Sequence, residues 1–280
     1  FTTFAKKQPL GFAGAVVVVV FIIMAVFAPW LSPFDPEASN YEHMLAPPGT
    51  VSDQGTFILG TDDFGRDVLT RIIYGARTAL FVGFTCAFIG ATIGLVLGVG
   101  SAYFGGLVDL IFQRIVDVFM AFPLIIMALS IVAIFGSSIQ NVIIAITIPF
   151  IPKCARVVRS SALAIREIPY IDAARANGFS NTRIILRHMV PNVMAPFLIM
   201  ITSFVGQAIL LEASLSFLGL GVQEPTPAWG LMLKNAQDSI RQEPWIAIWP
   251  GVAITVAVFG FNLFGDALRD ALDPRLRSAH

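Results

Sequence analysis

The chain has 280 residues, of which 56% are hydrophobic and 13% charged, with a net charge of zero. Soluble domains carry roughly 25% charge, so a chain this apolar is excluded from life in water, and the bilayer becomes its expected solvent. The zero net charge is silent on nucleic acid, and no nucleic-acid partner is expected; the distribution of charge along the chain carries more.

Runs free of Asp, Glu, Lys and Arg cover 8–34, 78–108, 118–152, 188–211 and 244–265. A spanning helix needs about 20 residues, so four of these runs hold one span each. The run 118–152 is too long for one crossing and slightly short for two, and Gly136-Ser137-Ser138 in its middle is a natural turn. Six spans are therefore expected, at about 10–30, 78–103, 110–135, 139–160, 192–217 and 246–268. The predicted fold is an all-α integral membrane protein.

Positive charge sets the orientation. With six spans, Lys6, Lys7, Lys153, Arg156, Arg159, Arg166, Arg175, Arg183, Arg187, Arg269, Arg275 and Arg277 share one side. Only Arg66, Arg71, Arg77, Lys234 and Arg241 face the other, and Arg114 stays near the cytoplasmic end of the third span. Five spans would place the loop positives opposite Lys6 and Lys7. The positive-inside rule thus predicts that both termini and the loop between the fourth and fifth spans are cytoplasmic.

Taken in order, residues 1–9 form a cytoplasmic stub and 10–30 the first span. The outer segment 31–77 opens on Pro33 and Pro36 and passes through Pro47-Pro48-Gly49. It ends in an amphipathic stretch, Val68 to Leu80, expected as a short surface helix leading into the second span. Residues 78–268 form a five-helix core that includes the cytoplasmic loop 161–191 and an outer loop 218–245, and 269–280 form a cytoplasmic tail. In the second span Gly90, Gly94 and Gly98 recur every four residues, which predicts a face for close helix packing. Arg114 and Asp117 are spaced to pair on one helix. Cys86 and Cys154 are expected as separate buried thiols, and no His or Cys set has metal-ligand spacing.

In the cytoplasmic loop, Pro169 suits a first helical turn and Gly178 a left-handed stop, so a helix of about nine residues is expected between them. Ser180 can cap a second helix running to Pro191. The first has small residues at Ala173, Ala174 and Ala176, rimmed by Arg166, Glu167, Asp172 and Arg175. So short a helix is marginal in water unless a partner or the membrane surface holds it. Glu212 is the only charge in 188–223, and a charge inside a span is a functional candidate. Asn262 and Asp266 in the last span are further candidates for a polar path. Trp229, Trp245 and Trp249 surround the last outer loop and suit an interfacial aromatic belt.

Asp172-Ala173-Ala174, three residues, Gly178, nine residues, then His188-Met189-Val190-Pro191 resembles the EAA motif of bacterial ABC-importer permeases, with Asp172, His188 and Val190 in place of Glu, Ile and Leu. Leu59 to Leu69 with Gly75-Ala76-Arg77 resembles the segment before the second span in the dipeptide/oligopeptide/nickel branch. Glu212 to Gly221 with Pro225 to Gly230, and Gly265 to Arg275, resemble the end of the fifth span and the C-terminus of the C-type subunit of that branch. The resemblance implies a type I ABC-importer permease fold and import of di- or oligopeptides, or of a nickel chelate or glutathione. It implies a homologous B-type permease, two ATPase subunits carrying ATP and Mg, and an extracytoplasmic solute-binding protein as partners, in the bacterial cytoplasmic membrane. Pro169 to Gly178 would be the coupling helix, with Arg166, Glu167, Pro169, Tyr170, Asp172, Ala173, Ala174, Arg175, Asn177 and Gly178 at the ATPase contact. Asp62, Arg66 and Trp229 would face the binding protein. The chain has no Gly-Lys dipeptide and hence no Gly-x-x-x-x-Gly-Lys phosphate loop, so no catalytic site or cofactor is expected in it. An ion-gradient transporter and a channel or scaffold are the rival readings; the absence of an evident internal repeat speaks against the first.

Overall fold

A computed structural model describes residues 8–272. The expected stub residues 1–7 and the tail beyond 272 lie outside the described residues.

Helix α1 (Pro9–Val26) starts on a proline, whose missing N–H costs nothing in a first turn. Its buried stripe is Gly11, Gly14, Val18 and Phe21, flanked by half-buried Val17, Met24 and Ala25, and the remaining face is apolar and exposed, as a lipid-facing helix requires. The expected single helix 10–30 breaks at Phe27. Pro29 cannot donate to the preceding turn, and a short α2 (Ala28–Leu31) follows. The outer segment then makes a 3-10 turn at Tyr41–His43 and an antiparallel hairpin, β1 (Thr50–Ser52) with β2 (Gly55–Phe57), in the register Thr50↔Phe57.

The expected separate surface helix at 68–80 is instead the first part of α3 (Val68–Phe104), a continuous 37-residue helix. The Asp67 carboxylate caps it, accepting from the Thr70 amide at 2.7 Å. At 1.5 Å per residue α3 is about 55 Å long, so it projects well past a hydrocarbon core of about 30 Å.

After α3 the chain turns at Gly105 and enters α4 (Gly106–Ala121), then α5 (Leu124–Phe135). These two were expected as one helix, 110–135. They meet at 87°. Pro123 holds Phe122 in the extended region, φ −86° and ψ 133°, so the helix cannot pass through it. The turn at Gly136 is present, and Ser138 caps α6 (Ile139–Arg166), its hydroxyl accepting from the Asn141 amide at 3.2 Å. Two short helices follow, α7 (Pro169–Ala176) and α8 (Asn181–Ile184). The helix from Ser180 was expected to stop at Pro191. It runs on instead through a π turn (Ile185–Met189) and a 3-10 turn (Val190–Val193) into α9 (Met194–Phe217). Pro191 sits in the first turn of the 3-10 segment, where no amide is needed. The described chain ends with α10 (Trp229–Asn235) and α11 (Trp245–Leu272).

Helices α3 and α6 lie parallel in close contact. A Cβ built on Gly90 would stand 2.9 Å from Phe150 Cβ, on Gly94 2.6 Å from Cys154 Cβ, and on Gly98 2.6 Å from the Ala155 carbonyl. Helix α11 lies antiparallel to α9, with Asn262 beside Gly206 and Thr202 beside Gly265. Gln8 donates to Asp270 at 3.2 Å and Arg166 to the Ala102 carbonyl at 3.0 Å. Both ends of the described chain and the segment 167–193 therefore share one end of the bundle, and the hairpin and the segment 218–244 share the other. Among the described residues, α1, α3, α6, the continuous stretch Asn181–Phe217 and α11 are each long and apolar enough to cross a membrane, and the bent pair α4–α5 supplies a sixth crossing if counted as one.

Candidate functional site

The segment 167–193 is built by local rules. Ile168 precedes Pro169 and is extended, which ends α6 and sets the start of α7. Gly178 stops α7 with φ +74°, and its amide donates to the Arg175 carbonyl at 2.9 Å. Ser180 caps α8, its hydroxyl accepting from the Arg183 amide at 3.4 Å.

Ile171 and Ala174 turn inward and are buried, whereas Pro169, Tyr170, Asp172, Ala173, Arg175, Ala176, Asn177 and Gly178 are exposed. The small face is therefore Ala173 with Ala176. Ala174 was expected on that face and instead packs against the core, because a 3.6-residue turn separates it from its neighbours. Arg175 pairs with Asp172 at 3.0 Å, and Arg166 lies 3.8 Å from Glu167.

What holds so short a helix is its own chain. The Tyr103 hydroxyl donates to Asn181 Oδ1 at 2.7 Å, and the Arg175 guanidinium lies 5.2 Å from the Tyr103 ring centroid. The Tyr170 hydroxyl donates to the His188 carbonyl at 3.0 Å, and Asn192 Nδ2 donates to that carbonyl at 2.6 Å and to Tyr170 Oη at 3.1 Å. The His188 ring stacks on Phe179, and the Arg183 guanidinium lies 4.0 Å from the Phe179 ring centroid. Tyr103, Ile171 and Asn192 were not singled out from sequence. Tyr103 lies some 70 residues before the helix it supports, so only the fold joins them.

At the opposite end a buried ion cluster ties the outer segment to the last outer loop. Arg66 pairs with Asp62 and with Glu224, each at 2.7 Å. Arg71, with 0% side-chain exposure, reaches Glu224 at 3.3 Å and donates to the Pro36 carbonyl at 3.1 Å. Asn235 Nδ2 donates to Glu224 Oε1 at 2.8 Å. Burial opposes ionisation of Glu224, but the hydrogen bonds from Arg66 and the charges of Arg71 and Arg66 outweigh it and hold the carboxyl below its ordinary value. Asp63 moves the other way, raised by burial and by Asp62 beside it.

Asp62, Arg66 and Trp229 were expected to face the binding protein; within the chain each of them has partners of its own. The two charges are spent within the cluster. Trp229 is 1% exposed, donates from Nε1 to the Ile72 carbonyl at 3.0 Å, and packs edge-on to Phe21 at 5.6 Å. It lies over Gly75, where an added Cβ would come within 2.6 Å of the indole. Neither Glu224 nor Arg71 was proposed as a partner of the other from sequence, since more than 150 residues separate them.

The remaining candidates do not converge. Glu212 is 1% exposed and accepts from the Ser216 hydroxyl at 2.7 Å; that hydroxyl in turn accepts from the Val222 amide at 3.1 Å, bracing the turn after α9. Asn262 and Asp266 are exposed, one turn apart on α11, toward the end that carries 167–193. Arg114 and Asp117 lie 3.8 Å apart as expected, but Asp117 makes its closer ion pair with Arg156.

The family model for the binding-protein-dependent transport system inner membrane component matches residues 90–278, and that for the N-terminal TM domain of oligopeptide transport permease C matches 5–48. A dipeptide transport system permease protein, DppC, of Alkalihalophilus pseudofirmus is 44% identical over 273 residues, covering 98% of this chain and 88% of that protein. A glutathione transport system permease protein, GsiD, of Escherichia coli is 41% identical over 273 residues, covering 97% and 88%. In fold, the chain resembles the inward-facing MetNI methionine ABC transporter, with a TM-score of 0.56 at 20% identity over 73% of this chain and 97% of that one.

Proposed function

Because the chain belongs to the inner-membrane permeases of binding-protein-dependent ABC importers, in the branch of peptide transport permeases, we propose that α7 is the element through which ATPase subunits drive it. The observation that carries this reading is the exposed strip Pro169, Asp172, Ala173 and Ala176. It sits on a helix whose other face is locked to the chain by Ile171, Ala174 and the Tyr170–His188–Asn192 hydrogen bonds. A rigid, small-faced helix can seat in a groove and transmit a push without bending. Arg166, Glu167, Tyr170, Arg175, Asn177 and Gly178 frame the seat.

On this reading both termini and 167–193 lie in the cytoplasm, where the positive charge collects. ATP and Mg are held by two ATPase subunits, a homologous B-type permease completes the pathway, and an extracytoplasmic binding protein delivers the solute. The solute is a di- or oligopeptide, by analogy with the DppC relative; glutathione, a modified tripeptide, is the second reading, favoured by the GsiD relative. Asn262 and Asp266, exposed on α11, are positioned for a polar path, and Glu212 would act on it from inside the chain.

The test is substitution on the exposed strip of the assembled complex. Ala173→Trp and Gly178→Pro are expected to leave membrane insertion normal and to abolish solute-stimulated ATP hydrolysis. Full stimulation in both variants refutes the coupling role. Calorimetric screening of the cognate binding protein against short peptides and glutathione separates the two solutes.

A further inference from the structure

Helix α4 is poorly anchored by packing. Of its 16 residues only Val116 is buried. Joints bound it on both sides: Gly105, at φ +64°, precedes it and Gly106, at φ +53°, is its first residue, and extended Phe122 and Pro123 follow its last turn. Such a segment is about 24 Å of stiff rod between two joints.

Arginines of α6 hold this rod. Arg159 grips Asp109 with two parallel hydrogen bonds, Nε to Oδ1 at 2.6 Å and Nη2 to Oδ2 at 2.5 Å. Arg156, one turn earlier on α6, pairs with Asp117, two turns later on α4. The order is the one antiparallel helices require. Arg166, in the last turn of α6, donates to the Ala102 carbonyl and lies against Gly105, at the joint where α4 begins. Three residues later α7 starts. The helix that leads into α7 therefore carries every one of these links to α4. A two-pronged carboxylate–guanidinium contact fixes orientation as well as distance.

We propose that Asp109, Asp117, Arg156 and Arg159 are positioning residues for transport: their ion pairs clamp α4 to α6, so that α4 swings on its two joints as one body with α6 when α7 is displaced. The proposal rests on the coupling role of α7 and adds the route by which displacement leaves it. The joints permit the swing, and the clamp decides what α4 follows.

The experiment uses the assembled complex in lipid discs and reads transport together with the ratio of solute-stimulated to basal ATP hydrolysis. Asp109→Arg and Arg159→Asp are each expected to lower that ratio about tenfold with assembly retained, and the charge-swapped double variant to recover most of it, the signature of a direct pair. Two cysteines in place of Asp117 and Arg156 then test rigidity. Reduced, this variant is expected to be poorly coupled; joined by a short crosslinker, it is expected to regain transport. Loss of transport on crosslinking overturns the proposal, because α4 would then have to leave α6. Full coupling in the single variants, or no recovery in the swap, overturns it equally. Ala173→Trp, run alongside, separates the two claims: normal coupling there refutes the role of α7 itself, whereas loss there with normal coupling in the clamp variants refutes the clamp alone.

Discussion

Glu224 is the carboxylate on which the hairpin end depends. It is 35% exposed at its side chain, yet it accepts from Arg66, Arg71 and Asn235 together. Glu224→Ala leaves Arg71, which is wholly buried, with the more distant Asp62 at 3.8 Å and the Pro36 and Pro225 carbonyls. Breaking a buried pair by removing one partner costs about 3–5 kcal/mol, and partial solvent access to Glu224 brings the expected loss to about 2–3 kcal/mol. Glu224→Gln keeps an acceptor for one arginine and should cost about half as much. The assay is equilibrium unfolding in mixed detergent micelles at several pH values. The folded carboxyl titrates below its ordinary value of 4.5, so its contribution is present above that pH and drains away as pH falls through the lower, folded value. Wild type and Glu224→Ala should therefore differ most at neutral pH and converge in acid. A difference below about 0.5 kcal/mol at pH 7, or one that grows in acid, refutes the assignment of the cluster as a structural tie.

Asp63 has the opposite sign. Its folded pKa is raised, so its charge opposes folding at neutral pH, and Asp63→Asn should leave stability unchanged or improved in the same assay. Gly94→Val should cost at least about 2 kcal/mol by overpacking, since even a Cβ there meets Cys154 at 2.6 Å and the Ile151 carbonyl at 2.9 Å, both on a helix that cannot retreat. Trp229→Ala should cost about 3–5 kcal/mol and reduce assembly, while the affinity of whatever complex does form for the binding protein stays as in wild type. Glu212→Gln, which keeps an acceptor for Ser216, should retain transport if the side chain only braces the turn at Val222, and should lose it if the charge itself serves the pathway.

Much of this molecule was legible before any fold was known, because its strongest signals are local. Apolar runs long enough to span, the Gly136-Ser137-Ser138 turn, the Gly90–Gly94–Gly98 stripe and the Pro169-to-Gly178 bounds of α7 each depend on a few adjacent residues. Arg77 closes the charge-free run at 78, so the sequence places the start of the second span there, whereas α3 continues back to Val68, where Asp67 caps it and the buried Arg71 is neutralised by Glu224 across more than 150 residues. Pro123 was overlooked as a break because the stretch around it is uniformly apolar and periodicity gives no warning there.

Trp229 shows the same limit from the other side. An aromatic residue in an outer loop has a character suited to either an interface or a core, and only the approach of Gly75 and Phe21 decides between them. By itself the sequence determined that this chain lives in a bilayer and where a capped helix interrupts the crossings, since hydropathy, proline and glycine act within a turn or two of themselves. Only the tertiary structure decided which face of that helix is free, which charges are spent on holding the protein together, and that α4 hangs from α6 by arginines. Those outcomes depend on which distant surfaces meet, and a buried charge is tolerable only where its partner happens to arrive.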